Sequence, residues 1–166
     1  MAVKEILLLG NPALYERSVE VAEEDRADLG ALIEDLHDTL LDFRGRYGAG
    51  RAIAAPQIGV RKRLIYLHLV EPMVFVNPVL TPDGPEMMEL WDDCMSFPDL
   101  LVRVRRYKRC RLTFSDAAWR QRQIGLEGDL SELLQHEYDH LDGILAVSRA
   151  IEPRSFALRS QRGWLA

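Results

Sequence analysis

Two histidines four positions apart, His136 and His140, constrain the chain more than any other feature. On an α-helix, side chains four residues apart share one face, so both imidazoles can bind the same metal ion. Glu137 directly follows the first histidine, and a carboxylate in that position can act as a general base on water. The competing interpretation is a solvated helix face with two unremarkable histidines. We favour a helix that carries the metal centre of a hydrolase.

The residues around this motif also predict a helix, over about residues 129–142. Asp129 is a good N-cap residue, and Glu132 three positions later would complete a capping box. Gly143 provides a stop signal at the other end.

A catalytic metal site needs three protein ligands, so one more must come from elsewhere in the chain. Cys94 is the best candidate because it lies in a short polar turn, residues 92–96, after an apolar segment. Cys110 has no such setting, and we expect it to be structural. Two cysteines are too few for a disulfide framework, which indicates a reducing compartment.

The remaining pattern predicts an α+β fold in one domain, residues 1–166. An amphipathic helix is expected over 26–44, ended by Gly45. Short strands are expected at 64–67, at 74–76 before a break at Asn77-Pro78, and over 100–114. The apolar stripe of the first helix consists of Leu29, Leu32, Ile33, Leu36, Leu40 and Phe43. Helices and strands do not alternate regularly, which disfavours a doubly wound sheet.

Basic residues are concentrated in the segment 100–114. A solvated strand face is the favoured interpretation, and a docking surface for an anionic partner is the alternative. The residues concerned are Arg103, Arg105, Arg106, Lys108, Arg109 and Arg111.

Charge and hydropathy exclude some functions. The net charge of −5 argues against a general nucleic-acid binder, so no specific nucleic-acid partner is expected. No apolar run approaches the roughly 18 residues that cross a membrane. The run at residues 6–9 is too short for the core of a signal peptide. We therefore expect a cytoplasmic protein with no membrane partner.

Three segments, in this order, resemble the motifs of the peptide deformylase family. Residues 50–59, Gly-Arg-Ala-Ile-Ala-Ala-Pro-Gln-Ile-Gly, look like its glycine and glutamine loop. Residues 92–96, Asp-Asp-Cys-Met-Ser, are similar to its Glu-Gly-Cys-Leu-Ser motif. Residues 135–140, Gln-His-Glu-Tyr-Asp-His, match its helix motif. The likeness extends over most of the chain and implies antiparallel strands packed around a central metal-binding helix.

The resemblance implies a role for each matching residue. Cys94, His136 and His140 would bind one divalent metal ion, usually Fe²⁺, with Zn²⁺, Ni²⁺ or Co²⁺ as substitutes. Glu137 would move protons between the attacking water and the leaving amine. The oxyanion would be held by the Gln57 side chain and the backbone N–H of Met95. The substrate-binding residues would be Gly50, Ala52 and Ile53, with Ile53 part of a pocket for a methionine-like side chain.

The implied reaction removes the formyl group from N-formylated nascent peptides, such as formyl-methionyl peptides, and releases formate. The segment after Ile144 contains four arginines and one glutamate, so it could dock on the ribosome. A zinc peptidase, which would take a His or Glu after the helix as its third ligand, is one alternative. No histidine follows His140, however, and Glu152 is the only later acid apart from Asp142. A second alternative is a non-catalytic relative that binds formylated chains or the ribosome.

Four positions depart from the family pattern. Ala52 stands where the family has glycine, and its Cβ would crowd the peptide or restrict φ. Arg51 adds a cation at the same place. Asp92 replaces glutamate, and Asp93 places a second negative charge beside Cys94. We expect these changes to affect substrate recognition more than metal binding.

Overall fold

The computed structural model describes residues 2–166, and its larger sheet has five antiparallel strands. In chain order they are β1 (Ala52–Ala54), β2 (Leu64–His68), β3 (Pro72–Pro82), β6 (Arg109–Ser115) and β7 (Gln121–Glu127). Each of these strands pairs with the next in that order.

A second sheet holds three antiparallel strands, which in chain order are β4 (Met87–Asp92), β5 (Leu100–Tyr107) and β8 (Phe156–Leu158). Each of them pairs with the next in that order. The turn that contains Cys94 follows β4 directly, so this sheet fixes one side of the candidate site. Antiparallel sheets with separate helices confirm the expected α+β class.

Helix α1 (Arg26–Tyr47) is longer than the sequence predicts. Gly45 lies within it, and Gly48, which has a left-handed φ of 68°, caps the C-terminal end of the helix after Tyr47. The expected stop at Gly45 is wrong because a glycine at an exposed helical position costs only about 1 kcal/mol relative to alanine. The buried face of α1, including Leu36 and Leu40, packs against β1 and β2.

Two strand predictions also need correction. Asn77-Pro78 does not end a strand, because β3 continues to Pro82 through a bulge where the register shifts between Val76 and Val79. Asn77 adopts a φ of 49° at this point. The segment 100–114 forms two strands in different sheets, and Lys108 separates them. A local alternation of residues cannot show that the chain changes sheets there.

Helix α2 (Asp129–Leu141) lies at the centre of the fold, and ten of its thirteen residues are buried. Its N-cap is Gly128 and no side chain caps it, so the predicted capping box of Asp129 and Glu132 is wrong. Gly143 follows the helix with a φ of 72°, as the stop signal predicts. Within residues 2–166, no helix combines the length and apolarity needed to span a membrane.

Candidate metal centre and active site

The side chains of Cys94, His136 and His140 meet in one buried cluster. Their candidate ligand atoms all lie within 4.8 Å of one another. Cys94 Sγ is 3.3 Å from Nε2 of His140, and the two imidazole centroids are 5.0 Å apart. Successive turns of α2 supply the histidines, and the turn after β4 supplies the cysteine. The structure thus brings together the three residues that the sequence predicts as ligands.

Asp92 orients one of the candidate ligands. Its Oδ2 lies 2.9 Å from Nδ1 of His136. Burial opposes ionisation of Asp92, but His136 and Arg106 outweigh it and hold the pKa of this carboxyl well below its usual range. An ionised carboxylate only accepts hydrogen bonds, so the Nδ1–H of His136 donates to it. Burial opposes the charged form of His136, but Asp92 outweighs it and raises the pKa of His136 well above its usual value. A metal ion bound at Nε2 would displace the proton there, while Asp92 keeps the ring oriented. The shorter aspartate therefore still makes the supporting contact.

Arg106 connects this carboxylate to α2. Its Nη2 donates to Asp92 at 2.8 Å, and its Nη1 donates to Asp139 at 3.0 Å. Arg149 also donates to both oxygens of Asp139, at 2.6 and 2.7 Å. The prediction of a solvated basic face is wrong for Arg106, which is only 2% exposed.

One sequence signal could have identified Arg106. Val102 and Val104 are both buried, and Arg106 continues their two-residue period on β5. Side chains two positions apart on a strand point to the same face. A cation on the apolar face of a strand requires a buried partner, and Asp139, in the helix motif, is one such acid.

Glu137 borders the pocket beside Cys94 and His136 but is itself 4% exposed. Among the described residues, its Oε2 has no hydrogen-bond partner. Burial raises the pKa of Glu137 to about 7, although the charge of His136 opposes this. Burial, assisted by His136, also holds the pKa of His140 well below its usual range. The neutral imidazole that results is the form that binds metal.

Gln57 is fixed behind the cysteine. The backbone N–H of Ala54 donates to its Oε1 at 3.0 Å, which orients the amide. Its Nε2 points to Ser96 Oγ at 3.2 Å and to Cys94 Sγ at 3.7 Å. The side chain is 1% exposed and presents a donor next to the candidate ligand cluster.

The N-terminal segment ties the two active-site loops together. The backbone N–H of Leu7 donates to the carbonyl of Gln57, and that of Leu9 donates to the carbonyl of Ser96, both at 2.8 Å. We call residues 7–9 the N-terminal strap. It holds the Gln57 loop against the Cys94 loop.

An open pocket of about 480 Å³ leads to the cluster. Gly50, Ala52 and Met95, three of the residues predicted to bind substrate or act in catalysis, border it. Ile53 does not: its side chain is fully buried in the apolar cluster that contains Leu36. Ile53 therefore does not line the pocket, but it belongs to the same core cluster as Met95, which does.

The departures from the expected motifs have local partners. Arg51 Nη2 lies 2.7 Å from Glu132 Oε1, and Arg159 Nη2 lies 2.9 Å from Asp93 Oδ2. Asp93 is therefore not an isolated negative charge beside Cys94. Ala52 occupies an ordinary strand position opposite Leu67, without a positive φ. The expected restriction of φ at Ala52 does not occur.

Comparison with known proteins decides the family. The family model described as polypeptide deformylase matches residues 3–155. The chain belongs to the polypeptide deformylase family. This membership confirms the predicted enzyme class, a hydrolase that removes a formyl group from peptides, and the non-catalytic alternative is not favoured.

Individual deformylases agree with the family model. Peptide deformylase 1 of Prochlorococcus marinus is 35% identical over 97% of this chain and 88% of its own length. A Parafrankia peptide deformylase is 39% identical over 90% of this chain and 79% of its own. The crystal structure of the peptide deformylase from Thermotoga maritima matches this fold with a TM-score of 0.83. The match covers 92% of this chain and all of that one, at 28% sequence identity.

Proposed function

We propose that the chain hydrolyses the formyl amide of N-formylated nascent peptides, including formyl-methionyl peptides, at a metal ion bound by Cys94, His136 and His140. The products are formate and a peptide with a free N-terminal amine. The observation that carries this proposal is the convergence of three buried metal-binding side chains beside Glu137 at the base of an open pocket.

The donor set suits a divalent ion. Two imidazoles and a thiolate lie close enough to share one ion, and Asp92 leaves the Nε2 atom of His136 available. We propose Fe²⁺ as the native metal, with Zn²⁺, Ni²⁺ or Co²⁺ as substitutes, because imidazole and thiolate suit all of these ions. A divalent cation held there supplies a Lewis acid that activates water and polarises the formyl oxygen.

Glu137 carries the proton transfers in this proposal. Its carboxylate accepts a proton from the water that attacks the formyl carbon. It then gives that proton to the amine nitrogen as the C–N bond breaks. Its place at the pocket wall, with Oε2 free of any partner among the described residues, supports this role.

Gln57 and Met95 stabilise the negative charge that develops on the formyl oxygen. Gln57 Nε2 is a donor held rigidly beside Cys94, because the Ala54 N–H fixes the other end of the amide. Met95 follows Cys94 directly, and its backbone N–H is the second donor. Fixed donors of this kind need no reorganisation during the reaction, which is why they lower the barrier.

The substrate enters through the pocket that Gly50 and Ala52 border, in a cytoplasmic enzyme. A contact with the ribosome would depend on the arginines after Ile144. Arg149 and Arg159 are already bonded to Asp139 and Asp93. The two others, Arg154 and Arg162, are exposed and available for such a contact.

Formate release from formyl-Met-Ala-Ser by the anaerobically purified, iron-loaded protein tests the proposal. We expect multiple turnovers with the formylated peptide and none with acetyl-Met-Ala-Ser, whose extra methyl group tests whether the site selects the formyl group. A protein with one bound metal ion per chain that releases no formate would contradict the proposal.

A further inference from the structure

A half-buried ion pair, with the Arg51 side chain 43% exposed, lies in the wall of the pocket where the family resemblance leads us to expect a surface for a methionine-like side chain. Arg51 Nη2 and Glu132 Oε1 are 2.7 Å apart, and the Glu132 side chain is 10% exposed. Both residues border the pocket together with Cys94, His136 and Glu137. The pair is therefore part of the surface that a bound substrate contacts.

The position of this pair is close to the reacting atoms. Glu132 precedes His136 by one turn of α2, so the two side chains share a face with Cβ atoms about 5–6 Å apart. Arg51 reaches Glu132 from the loop that follows Gly50. A substrate whose formyl group lies at the ligand cluster would place its first side chain within reach of this region.

Other charged side chains border the same pocket. Asp93 and Arg159 form a second ion pair at 2.9 Å, and the exposed Asp129 lies at the start of α2. Leu90 and Leu133 also border the pocket, so the wall is mixed. The residues on the first turn of α2 that border the pocket, Asp129 and Glu132, are both acidic.

The hydrogen-bonding groups of the Arg51–Glu132 pair determine which substrate side chain binds well against this part of the pocket. A thioether sulfur is only a weak acceptor, so a methionine side chain over the pair would displace water without replacing its hydrogen bonds. A carboxamide has an acceptor for the guanidinium of Arg51 and donors for the carboxylate of Glu132. Hydrogen bonds to charged groups are also stronger than those between neutral groups.

We propose that the Arg51–Glu132 pair determines the side-chain specificity of this pocket, favouring formylated substrates whose first side chain both donates and accepts hydrogen bonds, such as a carboxamide, over a thioether. This inference rests on the proposed function, since it names the substrate class of the same site. It is compatible with turnover of formyl-methionyl peptides, and it concerns the preference among substrates.

The test compares formyl-Gln-Ala-Ser with formyl-Met-Ala-Ser as substrates of the iron-loaded enzyme. The pocket variant carries Arg51→Leu and Glu132→Leu together, since removing one partner alone would leave the other charge unpaired. Lys108→Leu with Glu86→Leu is the matched control, because that pair, 2.9 Å apart, lies on the exposed surface. Arg51→Met with Glu132→Met replaces the leucine variant if the latter does not fold.

We expect the ratio of kcat/KM for the Gln peptide to that for the Met peptide to fall at least about tenfold in the pocket variant. The control should keep the wild-type ratio. An equal ratio in wild type and pocket variant would overturn the inference.

Binding of the deformylated peptides Gln-Ala-Ser and Met-Ala-Ser, measured by calorimetry, separates this inference from the proposed function. A wild-type preference for the Gln peptide that the pocket variant loses supports the specificity role even if no formate is released. In that case only the proposed function fails. Tighter wild-type binding of the Met peptide, unchanged in the variant, would refute the specificity role even with full turnover.

Discussion

Arg106 donates from Nη2 to the carboxylate of Asp92 at 2.8 Å, and the two side chains are only 2% and 5% exposed. The same guanidinium also bonds to Asp139 on α2. A single cation therefore compensates two buried acids and joins β5 to the helix that carries His136. Because Asp92 orients His136, this cation supports the candidate metal centre without belonging to it.

Arg106→Met should lower the free energy of unfolding by about 3–5 kcal/mol, because it removes a cation shared by two buried acids. Urea denaturation of both proteins measures the difference. The control is Arg105→Met, whose exposed side chain pairs with Glu89 at the surface. Arg105→Met should lower the free energy of unfolding by less than about 1 kcal/mol. Equal decreases in the free energy of unfolding in the two variants would show that the buried ion pairs of Arg106 stabilise the protein no more than the surface pair does.

Cys94→Ala should remove most of the bound metal, because two imidazoles alone form an incomplete site. Metal content of anaerobically purified protein, measured by mass spectrometry after dialysis, gives the result. Cys110→Ala is the matched control: this second cysteine is buried in the apolar core with Leu112 and Leu126. The Cys110→Ala protein should retain about one metal ion per chain, because all three candidate ligands are still present. Full metal content in Cys94→Ala would mean that another residue supplies the third ligand.

Glu137→Gln should reduce formate release by about 10²–10⁴-fold, the range that general acid–base catalysis contributes. Glutamine keeps the size of the side chain but cannot take up the proton, so metal content should not change. Glu127→Gln, at the exposed end of β7, should match the wild type in both measurements. Undiminished turnover in a fully metal-loaded Glu137→Gln protein would remove this residue from the mechanism.

Two glycine substitutions should have effects of opposite sign. Gly50 has a φ of 129°, and a Cβ there would lie 3.3 Å from Cδ1 of Phe43. Gly50→Ala should therefore destabilise the protein by about 1–3 kcal/mol. Gly45 is exposed within α1, with no neighbour within 4 Å of an added Cβ. Gly45→Ala should stabilise it by up to about 1 kcal/mol. Thermal unfolding that shifts in the same direction for both would contradict this assignment of strain.

Local spacing explains why the sequence predicts the centre of the site well. His136 and His140 need only a helix to share a face, and the helix is predictable from its own residues. Cys94 is recognisable from its polar turn and from the motifs of a known family. In the structure Cys94 lies beside His140, which is 46 residues further along the chain. The three predicted ligands therefore lie together.

Pairs between distant parts of the chain were not predictable in the same way. Arg51 and Glu132 are separated by 81 positions, and Arg106 and Asp139 by 33. Each of these residues has a plausible local role, such as the capping interaction expected of Glu132. Only tertiary structure shows which partner it has. The same reason explains the error at Gly45, where packing of α1 on the sheet outweighs a weak local stop signal.

The N-terminal strap joins segments of the protein that are made at different times during its synthesis. Leu7 and Leu9 are made well before their backbone partners, Gln57 and Ser96. The histidines of α2 follow later still, so the site depends on contacts that are distant in sequence. An enzyme that acts on the N-terminus of new chains thus completes its own candidate catalytic centre only after α2 has been made, long after the strap that braces it.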